Sequence, residues 1–127
     1  MLMSSRSAGR WPGVSSTGEL GSWIKEQSLV VATRRGSAVL VGCGHPGIVE
    51  IVRKAMGMGH EVYLLAGGFD TGSMTAYQVR ALAVTLLGLG VKMVAPCHCS
   101  GDTARALLAE EFGDEFVENG AGMTIEL

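Results

Sequence analysis

The sequence predicts an α/β fold, a mixed sheet with helices packed on it. Three observations carry that prediction. Apolar runs of strand length, such as Ser37–Gly42 (SAVLVG) and Glu61–Ala66 (EVYLLA), alternate with runs at helical spacing. Two glycine-containing turns, Gly42-Cys43-Gly44-His45-Pro46-Gly47 and Pro96-Cys97-His98-Cys99-Ser100-Gly101, each follow a strand-like run and lead into a helix-like one. The chain has 127 residues, 47% hydrophobic and 17% charged, which suits one domain with a real core.

Taken in order, residues 1–18 show no periodicity and are expected to form a flexible lead-in, with a single domain over 19–127. Ser28–Thr33 (SLVVAT), the Arg34-Arg35-Gly36 turn and Ser37–Gly42 read as an antiparallel hairpin. Pro46–Met56 places Ile48, Val49, Ile51, Val52, Ala55 and Met56 on one helical face, with Glu50, Arg53 and Lys54 opposite. Pro46 suits a first turn and Gly57 and Gly59 a helix end. Glu61–Ala66 reads as a buried strand. Met74–Leu89 reads as a long apolar helix covered on more than one side, and Val91–Ala95 as a further strand. A helix from Asp102 to Phe112 stops at Gly113. Phe116–Glu118 and Gly122–Leu127 flank Asn119-Gly120 as a closing hairpin.

Charge and composition exclude several classes. The formal net charge is −2 and no basic stripe interleaves with aromatics, so nucleic acid is not an expected partner. The longest apolar run, Ala81–Leu89, has about half the length that a bilayer requires, so no membrane span is expected. The first twenty residues lack the apolar centre of a secretory signal. With three cysteines, an odd number, the expectation is reduced thiols in a cytoplasmic protein.

The chemistry-bearing residues cluster at the strand ends. His45 and His98 occupy equivalent places at the C-terminal ends of two strands, each beside cysteine. A single histidine in a turn is commonly structural. Two at matching strand ends point to a site for a borderline metal such as zinc. Asp70 follows Gly67-Gly68-Phe69 and is a candidate third ligand or general base. Cys43 is a further candidate ligand, and Cys43 and Cys97 read equally as buried strand ends. Cys99 stands beside a helix start, and His60 reads as a surface turn residue. Gly42-x-Gly44-x-x-Gly47 also fits the dinucleotide fingerprint, which keeps a nucleotide-binding domain as an alternative. No acid closes the following strand, as ribose recognition needs.

Several of these motifs occur together in one family. Glu26-Gln27-Ser28-Leu29-Val30-Val31, Val39-Leu40-Val41-Gly42-Cys43-x-His45-Pro46-Gly47-Ile48-Val49, Gly67-Gly68-Phe69 and Pro96-x-His98-Cys99-Ser100-Gly101 stand in an order that resembles the metallo-β-lactamase superfamily. The branch is the metal-dependent hydrolases related to dihydropterin–ribofuranosylaminobenzene phosphate synthases, and the likeness runs from about Thr17 to Leu127. It implies the C-terminal half of an αββα sandwich with a metal site, commonly zinc, at one edge. A metal there activates water to attack an ester, amide or phosphoester. His45 and His98 fall on the family's ligand positions, while Asp70 replaces a usual histidine. The family's H-x-H-x-D-H motif is absent. The resemblance therefore implies a truncated or split form whose site a second chain completes, acting on a small molecule. It also implies a homodimer or partner chain over the exposed sheet face. A non-catalytic oligomerising or regulatory remnant of the fold is the other expectation.

Overall fold

The computed structural model describes residues 13–22, 24–97 and 100–118. Five strands form one sheet: β1 (Val14–Ser16), β2 (Leu29–Thr33), β3 (Gly36–Val41), β4 (Val62–Gly68) and β5 (Met93–Cys97). Three helices follow the last three strands: α1 (Ile48–Gly57), α2 (Ala76–Gly88) and α3 (Asp102–Phe112). The strands lie side by side in chain order, β1-β2-β3-β4-β5. The first three pair antiparallel and the last three parallel, so the sheet is mixed, as the sequence predicts.

This order decides where the helices go. A parallel crossover is right-handed, and both crossovers here step in the same direction across the sheet. The helices therefore share one face. There Val30, Val39, Val41, Leu65 and Val94 of the sheet meet Ile48, Ile51, Val52 and Ala55 of α1, Val79, Leu82, Ala83 and Leu86 of α2, and Ala104, Leu108 and Phe112 of α3. Each buried Val, Leu, Ile or Phe among them contributes about 1.5–3 kcal/mol by leaving water.

The other face is apolar too. Register aligns Leu29 with Leu40, Leu40 with Ala66 and Ala66 with Ala95, one residue per strand from β2 to β5. Ala38, Leu64, Ala66 and Ala95 are buried there, with Val31, Met93 and Val117 packed against them. Leu29 and Leu40 stay 47% and 41% exposed.

The structure corrects four expectations. Val14–Ser16 lies within the expected lead-in, yet it forms an edge strand on β2. Polar side chains hold its end: Thr17 Oγ1 accepts the Ser28 amide at 3.0 Å, and Ser16 Oγ donates to Gln27. Helix α1 begins at Ile48 with Gly47 as its N-cap, so Pro46 precedes the first turn. Helix α2 is covered on one side only, since Tyr77, Val84 and Leu87 are exposed. His60 is half-buried, its Nδ1 2.7 Å from Ser37 Oγ, rather than a bare surface residue. In the expected closing hairpin, Phe116 bridges Val94 in parallel, while 119–127 lie outside the described residues, as do 1–12. No helix among the described residues is long and apolar enough to cross a membrane.

Candidate functional site

Because β3, β4 and β5 run parallel, the loops that leave them gather at one edge of the sheet. These are the loops that carry His45, Asp70 and His98. Close backbone contacts lock them together. Gly44 adopts φ +74°, and a side chain there would lie 2.6 Å from the Gly68 carbonyl oxygen. Gly101, at φ +85°, meets the Gly72 Cα at 3.0 Å in the same sense. Only glycine suits both the conformation and the space.

Ser100, fully buried, ties the β4–α2 loop to the β5–α3 loop. Its Oγ accepts the Phe69 amide at 3.0 Å and donates to the Cys97 carbonyl at 2.8 Å. Its own carbonyl accepts the Thr71 hydroxyl at 2.6 Å. Asp70 sits between these two anchored residues with φ +54°, the only non-glycine at positive φ among the described residues. Asp tolerates that conformation better than most residues.

His45 and Asp70 line one open cleft of about 510 Å³ together with Gly21, Ser22, Ile24, Pro46 and Glu50. An imidazole and two carboxylates there are nitrogen and oxygen donors of the kind that suit a divalent cation. Cys43, half-buried in the His45 loop, lies outside that lining. His98 and Cys99 lie outside the described residues. Among the described residues no three His, Cys, Asp or Glu side chains converge on a point fit for a metal. The donor chemistry at His45 and Asp70 fits a metal, and the described part of the site is incomplete.

Glu26 is the residue that the sequence reading did not single out for the site. Its Oε2 lies 2.8 Å from His45 Nδ1. It also accepts the Gly44 amide at 2.9 Å and the His45 amide at 3.3 Å. Burial pushes the Glu26 carboxyl up, but hydrogen bonds from the His45 ring and from the amides of Gly44, His45 and Cys43 together hold it below its ordinary value. The signal was present in the register. Leu29 pairs with Leu40 at the end of the β2–β3 ladder, so the segment entering β2, with Glu26, lies near the segment leaving β3, with His45. The carboxylate fills the amide nest that a phosphate would use in a dinucleotide site, which counts against the nucleotide reading of Gly42–Gly47.

The comparisons with known proteins bear on the fold. No family model matches the chain. It is 33% identical over 103 residues to a 7,8-dihydropterin-6-methyl-4-(β-D-ribofuranosyl)-aminobenzene-5′-phosphate synthase of Methanocaldococcus jannaschii, covering 80% of this chain and 35% of that protein. It superposes with a TM-score of 0.75 and 31% identity on the crystal structure of a metal-dependent hydrolase of the β-lactamase superfamily, covering 81% of this chain and 41% of that one. The chain thus spans about a third of the curated relative's length. Over the part that superposes, the five-stranded mixed sheet with its three helices is a β-lactamase-superfamily fold.

Proposed function

We propose that this chain forms part of the site of a metal-dependent hydrolase, with His45, Asp70 and His98 as metal-facing residues and zinc or another divalent cation as cofactor. One observation carries the reading: His45 and Asp70, from two different strand-end loops, line the same cleft. The likeness to a metal-dependent hydrolase supports it. A bound cation would supply an activated water and polarise the scissile ester, amide or phosphoester of a small-molecule substrate. His45 supplies a ring nitrogen. Asp70 supplies a carboxylate, either as ligand or as base toward the water. A hydrolytic zinc site uses about three protein ligands and a water. His98 and a second chain, or a further segment of a longer protein, complete the set. The same partner covers Leu29 and Leu40. A cytoplasmic setting suits thiols such as Cys97 near the site.

Metal content after zinc loading and dialysis tests this. Wild type is expected to retain zinc, and His45→Ala, His98→Ala and Asp70→Ala are each expected to retain much less. Equal retention in wild type and all three variants refutes the assignment. A wild type that retains none points instead to a non-catalytic module of the same fold.

A further inference from the structure

We propose that Glu26 is a positioning residue for His45, fixing the ring's Nδ1–H tautomer and leaving Nε2 as the nitrogen available to the cleft. The inference deepens the metal-site reading and rests on it for the purpose of the pairing. Its content rests on geometry. A carboxylate can only accept, so at 2.8 Å the proton between the two side chains belongs to His45 Nδ1. A neutral imidazole carries one proton, so Nε2 then bears the lone pair.

Glu26 is built to hold still. Its backbone is clamped in an isolated bridge, the Leu20 amide donating to the Glu26 carbonyl at 2.8 Å and the Glu26 amide to the Leu20 carbonyl at 3.1 Å. Its second oxygen is held by the Gly44 amide. The side chain is 17% exposed against 33% for His45, so the acid is the better shielded member of the pair. Among the described residues no lysine or arginine lies within 4.0 Å of this carboxylate. The acid is given over to the loop and the imidazole. Such an outer carboxylate orients a ligating histidine and raises its basicity, and removing one costs about 10–100-fold in metal affinity.

Ring ¹⁵N spectra of the metal-free full chain, taken above the imidazole titration range at about pH 8.5, decide the first half without any variant. The expected His45 signal is a protonated Nδ1 and a bare Nε2, assigned by its loss in His45→Ala. A bare Nδ1 in wild type overturns the proposal. Glu26→Gln keeps the volume of the side chain, and its circular dichroism and melting curve establish that it folds. In that variant the ring population is expected to move toward Nε2–H, and zinc is expected to bind about 10–100-fold more weakly than in wild type. An unmoved tautomer, or zinc bound equally by wild type and variant, removes Glu26 from this role. A wild type that takes up no zinc sinks the metal reading alone, and the tautomer in wild type and Glu26→Gln still decides whether Glu26 positions the ring.

Discussion

Ser100 and Phe69 stand 31 positions apart in the chain, and the Ser100 hydroxyl accepts the Phe69 amide at 3.0 Å inside the protein. That bond, with those to Cys97 and Thr71, makes two strand-end loops one rigid rim. Ser100→Ala leaves a buried amide without its acceptor. It is expected to destabilise the fold by about 1–3 kcal/mol in urea unfolding. It is also expected to weaken zinc binding, because Asp70 follows Phe69 directly. Stability within error of wild type would show that water replaces the hydroxyl.

Two glycines give opposite expectations. Gly44→Ala forces a side chain to within 2.6 Å of the Gly68 oxygen from a positive-φ backbone, and a loss of about 1–3 kcal/mol is expected. Gly88 ends α2 with open space around the same position, so Gly88→Ala is expected to be neutral or to stabilise by up to about 1 kcal/mol. Thermal melts of the two variants side by side check the contrast. Similar losses in both would mean that helix packing, not the close approach, governs these sites.

The acid limb of the stability curve tests Glu26. Its folded carboxyl titrates below the ordinary value of 4.5, so its contribution is present above that value and fades as pH falls through the lowered folded value. Wild-type and Glu26→Gln stabilities, measured by urea unfolding without metal, are therefore expected to differ near neutrality and to begin converging as pH falls below about 4.5. A gap that stays constant down to pH 3 excludes titration of Glu26 as its source.

The paired leucines at the open sheet face predict association. Leu29 and Leu40 face each other across β2 and β3 while half exposed. The chain alone is expected to run as a dimer in gel filtration, and the double variant Leu29→Ser, Leu40→Ser as a monomer of near wild-type stability. A wild-type monomer that binds no hydrophobic dye contradicts this.

Much of the architecture was legible because burial imposes period. The β2–β3 hairpin follows from alternating and continuous apolar residues, and α1 from the spacing of Ile48, Ile51, Val52 and Ala55. What period does not record was missed. Strand β1 holds by its ladder to β2 and by bonds at its end, Ser16 donating to Gln27 and Thr17 accepting the Ser28 amide, rather than by an apolar pattern. Helix α2 is apolar on both sides, so its composition could not tell which side the protein covers. At the site, a shared histidine motif was enough to propose His45, but Glu26 meets that ring through a contact between residues 19 apart that no local motif displays.

The side-by-side strand order has a kinetic consequence. Every strand lies against the one made just before it, but only β2 and β3 meet across a tight turn, and each parallel pairing must close over a helix-bearing crossover. Parallel pairing of this kind closes more slowly than a run of hairpins, because loop entropy is lost before the strands meet. The rim of loops, which only those two crossovers bring together, is therefore complete only once β5 has paired with β4.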